Sequence, residues 1–331
     1  MKLPSSDFLP RWPRSAWEGF FVIAIPRRGC PVRWLKTHLF RSRARRGFHP
    51  IAAVEGLTAK GELWGTAAFG DRLVEGRAAF EPEALRVGAT GLALELPGRA
   101  RLWEEAGQVA LWWRDEASQL EASLTLEPRE VVQWARLPPA LRYLGVHARL
   151  KGALKVGKVS HDLSGLGVVE HAFGALVPFD PARFPLGRWH WDVLSFEDDD
   201  GALATLTVNA PLLGMRGLRA GGQVPGVMVA PISAAGVEYL EVEHDHPKRW
   251  LGRARGSTGE LVYEAVASTP LARAAPGGGF LGFNFEATFT AAGARPRHFA
   301  GRGFCECGGN RPIQEWARPS WPTFESMTRG A

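Results

Sequence analysis

The sequence predicts an all-β protein with two antiparallel β-barrels in tandem and little helix. Apolar and polar residues alternate over many short stretches, which include GELWGTAAF (61–69), VALWWRD (109–115), LEASLTLE (120–127), VEYLEVEH (237–244) and FNFEATFT (283–290). Alternation with period two places one side of a strand in a core and the other side in solvent. Barrels close such short strands without leaving exposed edges.

The composition points to the same fold class. The 39 Gly and 24 Pro supply many turns, and the 13 Trp and 18 Phe supply large rings for an apolar interior. Segments such as EEAG, EDDDG and APGGG are typical of hairpin connections. Helical signal is confined to short pieces: PPALRYLGV (138–146) predicts one turn, and the C-terminal RPIQEWARPSWP contains too much proline to extend far.

The length of 331 residues favours two domains, for which we predict the bounds 1–155 and 156–331. A short internal repeat supports a duplication. GLGVVEHAFG (165–174) and GRGFCECGGN (301–310) share Gly-x-Gly, an apolar residue, any residue and then Glu. We therefore expect two barrels of related design.

Charge and cysteine usage exclude several classes of function. The net charge of +6 is too small and too dispersed to indicate nucleic-acid binding. Three cysteines without framework spacing favour a reducing compartment, and the start of the chain lacks the pattern of a signal peptide, so we expect a cytoplasmic protein without a membrane span. The run RSRARRG (41–47) is expected to be a solvated cationic loop, with peripheral contact to anionic lipid as the alternative.

The best candidate site is the pair Glu170 and His171 in GLGVVEHAFG. A carboxylate among valines and glycines is costly to bury in its charged form, so burial would raise the pKa of Glu170 and make it a potential proton donor. A regular strand would point the two side chains to opposite faces, and a joint site would need a glycine bulge. In the regular case we favour Glu170 as the inward member. The alternative is that either side chain only ties a loop to the sheet.

A second candidate lies in RWHWDVLSF (188–196). Its alternation places Trp189 and Trp191 on one face, where two indoles would wall an apolar ligand site and stabilise positive charge, or would simply pack in the core. His190 and Asp192 are then expected on the outer face as a polar pair.

Other motifs carry weaker signals. HDH (244–246) has two imidazoles one residue apart, but no third ligand is identifiable, so we predict no metal site. Cys305 and Cys307 could chelate or form a redox pair, although two buried strand thiols are favoured. The GxG segments lack the third glycine and following helix of a dinucleotide site, and no GxSxG, P-loop or HExxH is present.

The order and spacing of these blocks resemble the lipocalin-like superfamily that contains carotenoid hydratase (hydroxyneurosporene synthase), with tocopherol cyclase and the fungal Diels-Alderases as more distant relatives. WEGFF (17–21) and WLKTHLF (34–40) also look like the opening strands of such proteins. The positions that match the three family blocks are Glu170, His171, Phe173 and Gly174; Gly187, Trp189 and Trp191; and Gly301, Arg302, Gly303, Phe304 and Glu306.

The resemblance implies two lipocalin-like barrels, an apolar cavity and acid-catalysed addition of water to a terminal isoprenoid double bond. Two departures weaken the hydratase inference: Val168 stands where hydratases tend to have a tyrosine two residues before the acid, and Phe304 replaces the common tyrosine.

We therefore predict a lyase or cyclase, independent of any cofactor, that acts on a hydrophobic isoprenoid, polyketide or lipid-like molecule. Glu170 would protonate an alkene and His171 would orient the acid or activate water. Trp189, Trp191, Phe173, Phe304 and Glu306 would contact the substrate. The alternatives are a non-catalytic binder of a small hydrophobic ligand and a structural protein whose cavity is filled by its own side chains.

Overall fold

The computed structural model describes residues 8–11, 17–42, 60–89, 91–137, 141–174, 188–197, 203–211, 222–225, 227–228, 232–243, 246–275 and 278–309. Almost all of them lie in β-strands, and a single 3₁₀ turn covers Pro82–Ala84. The chain divides into two compact units, Met1–Pro178 and Phe179–Ala331. The predicted all-β class is confirmed.

Unit 1 is built on one antiparallel sheet of eleven strands in the order β4-β3-β2-β1-β11-β10-β9-β8-β7-β6-β5. Strand β4 also approaches β8 and β9, so the sheet curls on itself. The strands are β1 (Trp17–Pro26), β2 (Val32–Ser42), β3 (Lys60–Phe69), β4 (Arg72–Phe80), β5 (Arg86–Val87), β6 (Ala93–Leu96), β7 (Ala100–Glu105), β8 (Gln108–Asp115), β9 (Leu120–Leu137), β10 (Leu141–Val156) and β11 (Val159–Gly174).

Unit 2 contains an antiparallel sheet in the order β13-β12-β21-β20-β18-β17-β16, with β19 paired to β20 and a separate β14-β15 ribbon. Strand β13 approaches β16, so this sheet curls in the same way. The strands are β12 (Arg188–Glu197), β13 (Leu203–Pro211), β14 (Gln223–Val224), β15 (Val227–Met228), β16 (Ile232–Glu243), β17 (His246–Gly256), β18 (Gly259–Ala267), β19 (Ala272–Ala275), β20 (Gly278–Ala291) and β21 (Arg297–Gly309).

Each unit has its own apolar core. In unit 1 the core includes Phe20, Val22 and Val169, and in unit 2 it includes Trp250 and Phe283. All five segments that alternate with period two form strands, as predicted. The EEAG hairpin is also confirmed, since Ala106 and Gly107 both have the positive φ that a two-residue hairpin turn requires.

One predicted helical turn is wrong over its described part. Residues 138–140 lie outside the described residues, but β10 begins at Leu141 and continues through 146. The alternation of this segment allows Leu144 and Val146 to enter the core of unit 1, while its backbone pairs with β9 and β11. Pairing on both sides overrides a weak local helical preference.

The division of the chain differs from the predicted boundary at residue 155. That position lies in the β10–β11 hairpin, whereas the chain divides into its two compact units between residues 178 and 179. The reason is that β11 pairs with β1 from Trp17↔Gly174 to Pro26↔Gly165, which keeps β11 in unit 1.

The two copies of the internal repeat lie in equivalent strands of the two sheets. GLGVVEHAFG lies in β11, the last strand of unit 1, which pairs with the unit's first strand β1 and with β10. GRGFCECGG lies in β21, the last strand of unit 2, which pairs with that unit's first strand β12 and with β20. The two repeats therefore occupy the same topological position.

Candidate functional site

The strand that carries Glu170 and His171 is regular. From Gly165 to Gly174 it pairs with β1 without a register shift, and its pairing with β10 is equally continuous. Successive side chains of a regular strand point to opposite faces. Glu170 and His171 therefore do not share one face. We call the side of the sheet with Phe20, Val169 and His171 the core face of unit 1, and the side with Glu170 its second face.

His171 belongs to a buried ionic cluster on the core face. Its Nε2 lies 3.0 Å from Oε1 of Glu18, and its ring stacks on Phe20 with a centroid distance of 4.2 Å. Arg41 completes the cluster by donating to Glu18 Oε2 from Nε at 3.1 Å and from a terminal nitrogen at 2.8 Å. Since Arg41 is buried in β2, the first residue of the predicted basic loop is not solvated; residues 43–47 lie outside the described residues.

Glu18 is held as a carboxylate by these neighbours. Burial alone would raise its pKa, but hydrogen bonding and charge from His171, the backbone N–H of Arg11 and the Arg41 guanidinium together bring the pKa below its ordinary value. A buried carboxylate that is fully paired in this way is a structural element rather than a proton donor. His171 therefore has a partner that the sequence pattern did not identify.

Glu170 occupies a different environment on the second face. The side chain is buried, and its Oε1 accepts a hydrogen bond from the Tyr143 hydroxyl. Tyr143 lies on the neighbouring strand β10, one diagonal step from Glu170, whose direct partner there is Gly145. A phenol from an adjacent strand thus stands near the acid although Val168 supplies none. Sequence reasoning missed Tyr143 because strand register was unknown.

Aromatic rings and cations lie on the same face, beginning on the strand next to Glu170. Phe21 pairs directly with Glu170 and meets the His38 ring edge-on at 5.0 Å. The His38 ring lies 4.8 Å from Trp64, whose face holds the Arg77 guanidinium at 4.0 Å. These contacts form one continuous aromatic surface, and its buried members lie outside both apolar cores.

Glu62 is a second carboxyl group on the same face. In the register of β2 and β3 it pairs with Phe40, which itself pairs with Gly19 of β1. Burial raises the pKa of Glu62, and the positive charge of Arg77 lowers it only in part. The second face therefore contains one buried carboxyl group, Glu170, and one half-buried carboxyl group, Glu62.

Phe173, a predicted substrate contact, lies on the opposite side from Glu170. It pairs with Glu18 and lies 5.0 Å from the His171 ring, with the Arg11 guanidinium 5.6 Å above its ring. Phe173 therefore belongs with the Glu18 cluster.

In unit 2 the predicted residues Trp191, Phe304 and Glu306 share one face of β12 and β21. Trp191 pairs with Glu306, and its ring meets the buried Phe304 ring edge-on at 6.0 Å. Phe280 stacks on the other side of Phe304 at 5.8 Å. Backbone pairing is described for Trp189, but its side chain lies outside the described residues.

The predicted outward position of His190 and Asp192 is wrong. Both are buried on the face of β12 that packs with the core of unit 2. His190 Nε2 lies 2.9 Å from Asp192 Oδ2, which also accepts hydrogen bonds from Trp250 Nε1 at 2.9 Å and from the Tyr263 hydroxyl at 2.6 Å. Donors from β17 and β18 thus satisfy a carboxylate that the alternation alone would place in solvent.

The predicted burial of the two strand thiols is confirmed. Cys305 and Cys307 are both buried, and Cys305 Sγ lies 3.7 Å from His190 Nε2. Burial raises the pKa of the Cys305 thiol well above its ordinary value, with further contributions from Cys307 and Asp192. Ligand-capable atoms of His190, Asp192 and Cys305 all lie within 4.8 Å of one another. Of the HDH motif, residues 244–245 lie outside the described residues.

An open groove on unit 2 has a volume of about 510 Å³ and contains none of the predicted site residues. Its walls come from β17, β18, β20 and β21, and the lining residues are Leu251, Val262, Glu264, Glu286, Ala287, Thr288, His298, Phe299 and Ala300. In the described part of the chain, no helix is long and apolar enough to cross a membrane.

Comparison with known proteins finds similar folds among solved structures. No family model and no curated protein matches the sequence. Solved structures match along nearly the whole chain. A protein provisionally named AttH from Nitrosomonas europaea has a TM-score of 0.60 and 15% identity, over 94% of this chain and 97% of its own.

Two further structures match at similar coverage. CghA in complex with Sch210972 has a TM-score of 0.57 and 13% identity, over 93% of each chain. Kievitone hydratase from Nectria haematococca has a TM-score of 0.55 and 9% identity, also over 93% of each chain. The chain has a lipocalin-like fold. The predicted resemblance is thereby confirmed at the level of the fold.

Proposed function

We propose that the chain is an enzyme that acts on a small hydrophobic molecule, isoprenoid or lipid-like, by acid catalysis without a cofactor. The observation that carries the proposal is the buried contact between the Glu170 carboxyl group and the Tyr143 hydroxyl on a face rich in aromatic rings. Carboxyl groups away from water are suited to donate a proton, because the charged form is poorly solvated there.

The proposed reaction is the hydration of a carbon–carbon double bond. Glu170 donates its proton to the less substituted carbon, and the positive charge develops on the more substituted one. A water molecule adds to that carbon and returns a proton to the Glu170 carboxylate, so that the acid is regenerated. In the cyclase version of the reaction, a second double bond of the same substrate replaces water as the nucleophile. The ring cation that forms then loses a proton from a neighbouring carbon to the Glu170 carboxylate, so that a ring double bond forms and the acid is regenerated.

Aromatic rings on the second face can stabilise a developing positive charge where a cation does not already occupy them. The ring of Trp64 already holds the Arg77 guanidinium. Phe21, which lies 5.5 Å from the Lys36 ammonium, is the aromatic residue directly opposite Glu170 in the strand register. Aromatic faces attract cations by several tenths of a kcal/mol to ~2 kcal/mol. The full-length fold shared with kievitone hydratase and with ligand-bound CghA supports a small-molecule enzyme.

The proposal assigns separate roles to Glu170 and His171. Glu170 is the acid, Tyr143 positions its carboxyl group, and His171 stabilises the core face through Glu18. This assignment replaces the expectation that His171 orients the acid directly.

The test is turnover of a panel of acyclic isoprenoids and prenylated phenols in heavy-oxygen water, with products followed by mass spectrometry. Wild type should incorporate one labelled oxygen per product or form an isomeric ring. Glu170→Gln should lower turnover by roughly 10²-fold to 10⁴-fold, the usual contribution of a general acid. Equal turnover by wild type and Glu170→Gln would contradict the proposal.

Glu121→Gln provides a matched control. Glu121 also accepts a hydrogen bond from an aromatic side chain, Trp112, at 3.3 Å. It pairs with Lys155, twelve residues along β10 from Tyr143, a distance of about 40 Å at ~3.3 Å per residue. We expect this variant to keep wild-type turnover. A protein that retains an apolar ligand through purification but never converts any substrate would instead be the non-catalytic binder.

A further inference from the structure

Four side chains able to bind a metal form a rectangle in unit 2, away from the proposed acid. On the core face, His190 pairs directly with Cys307, and Asp192 pairs directly with Cys305. Residues opposite each other in a ladder, and those two apart on one strand, are neighbours on the same face of a sheet. All four side chains are buried to 98% or more.

The equivalent positions of unit 1 have a different composition. Aligning Glu306 with Glu170 places His190, Asp192, Cys305 and Cys307 at the positions of Phe20, Val22, Val169 and His171. Three of these four residues of unit 1 belong to its apolar core cluster. Unit 2 therefore replaces a mainly apolar patch with four polar side chains, and their burial requires a compensating interaction.

We infer that His190, Asp192, Cys305 and Cys307 bind a single zinc-type divalent cation that joins β12 to β21. Zinc in structural sites is held by four ligands in a tetrahedron, with sulfur from cysteine, nitrogen from histidine and oxygen from carboxylate. Candidate ligand atoms of the first three residues already lie within 4.8 Å of one another, and Cys307 lies directly opposite His190 in the ladder. A small contraction of the first three, together with rotation of the Cys307 side chain, would give tetrahedral spacing.

The hydrogen bonds of Asp192 leave one oxygen for the cation. Trp250 and Tyr263 both donate to Oδ2, whereas Oδ1 is buried and has no hydrogen-bond partner in the described part of the chain. Carboxylates that bind a metal are commonly fixed by such donors to their second oxygen. An orphaned buried carboxylate oxygen is costly, and a cation would remove that cost.

His190 has the second partner that a metal-bound imidazole needs. Its Nδ1 lies 3.0 Å from the Tyr239 hydroxyl, which can donate or accept. When Nε2 binds the cation, Nδ1 carries the proton and donates it to Tyr239, which fixes the ring orientation. On binding the cation, Nε2 would exchange its present 2.9 Å contact with Asp192 Oδ2 for a bond to the metal.

The experiment uses the reduced, chelator-treated full-length protein titrated with Co²⁺, followed by zinc competition. We expect one equivalent to bind with a thiolate-to-cobalt charge-transfer band that zinc abolishes. Cys305→Ser and Asp192→Asn should lose or strongly weaken that band. Tyr239→Phe should weaken binding by roughly 10-fold to 100-fold, as loss of a supporting hydrogen bond usually does.

Cys30→Ser is the matched control, because Cys30 lies in unit 1 and its thiol is near the Asp162 carbonyl instead. It should bind Co²⁺ as wild type does. If the ligand variants fail to fold, X-ray absorption of zinc-loaded wild type still decides, with sulfur expected at about 2.3 Å and nitrogen or oxygen at about 2.0 Å. Zinc without sulfur ligands, no binding by wild type, or an unchanged band in Cys305→Ser would overturn the inference.

Discussion

Glu18 links three strands through two hydrogen bonds from Arg41 and one with His171. It lies on β1, His171 on β11 and Arg41 on β2, and the side chains of all three are almost completely buried. Loss of the central carboxylate would remove its buried ion pair with Arg41 and its contact with His171. The stability of unit 1 should therefore depend on this residue more than on any exposed ion pair.

Replacing Glu18 with Gln should lower the free energy of unfolding by ~3 kcal/mol at neutral pH, since removal of one partner from a buried pair typically has that effect. Urea titration of both proteins measures the difference. Glu116→Gln is the control: its pair with Arg114 at 3.1 Å is exposed, and such pairs contribute ~0–1 kcal/mol. Equal losses in the two variants would contradict the role of the cluster.

The difference in stability between wild type and Glu18→Gln should also depend on pH. The pKa of Glu18 is lower in the folded state than its ordinary value of 4.5, so its contribution is fully present above about pH 4.5 and is lost as the pH falls through the folded pKa. The difference in stability between wild type and Glu18→Gln should therefore shrink below pH 4.5. A difference that stays constant down to acid unfolding would contradict the assigned charge state.

Substitution of Tyr143 tests whether its hydroxyl positions the Glu170 carboxyl group. Tyr143→Phe removes the hydroxyl that bonds to Glu170 and keeps the ring. A hydrogen bond to an ionisable group contributes ~1.5 kcal/mol or more, so turnover should fall by at least about tenfold, with a shifted pH–rate profile. An unchanged profile would show that the hydroxyl does not act on the acid.

Strand β21 shows why the repeat contains its glycines. Gly301 and Gly303 pair with Phe285 and Phe283, and the rings lie over the glycine backbones. A Cβ atom at Gly303 would lie 2.0 Å from the Phe283 ring. The close approach expected from Gly-x-Gly is thus an aromatic ring on a neighbouring strand.

Gly303→Ala should destabilise unit 2 by ~1–3 kcal/mol through overpacking. Adding Phe283→Leu should recover part of that loss, because the smaller side chain makes room for the methyl group. Thermal unfolding of the two single variants and the double variant measures the coupling. Strictly additive effects would contradict the proposed contact.

Sequence periodicity predicted the strands and the opposite orientation of Glu170 and His171. It could not decide which side chain meets the core, because both faces of β11 are buried from Leu166 to Ala172. The outward orientation predicted for Asp192 was wrong for a related reason. Its donors Trp250 and Tyr263 lie 58 and 71 residues away, so only the folded sheet reveals that its charge is satisfied.

At the scale of the whole molecule, two units with separate cores repeat one strand arrangement. In each, the last strand pairs with the first, and Glu170 and Glu306 occupy equivalent positions. In unit 1 the Tyr143 hydroxyl donates to the Glu170 carboxyl group, whereas unit 2 has the thiols of Cys305 and Cys307 at the core positions equivalent to Val169 and His171. The repeated fold thus supports different chemistry in its two copies.

A substitution in one unit should change amide hydrogen exchange in that unit and leave exchange in the other unit unchanged. Glu18→Gln should speed exchange in β1, β2 and β11, and Gly303→Ala should speed it in β20 and β21, since each core is made by its own strands. Mass spectrometry of peptides from both units provides the readout. Equal acceleration in both units from either variant would mean that the two cores unfold as one.

The most direct measurement of the central claim is a crystal structure with a bound, unreactive analogue of a converted substrate. We predict that the carbon to be protonated lies within about 3–3.5 Å of a Glu170 carboxyl oxygen, the separation of a reactive geometry. A ligand bound instead in the groove between Leu251 and Phe299, with Glu170 out of reach, would contradict the assignment.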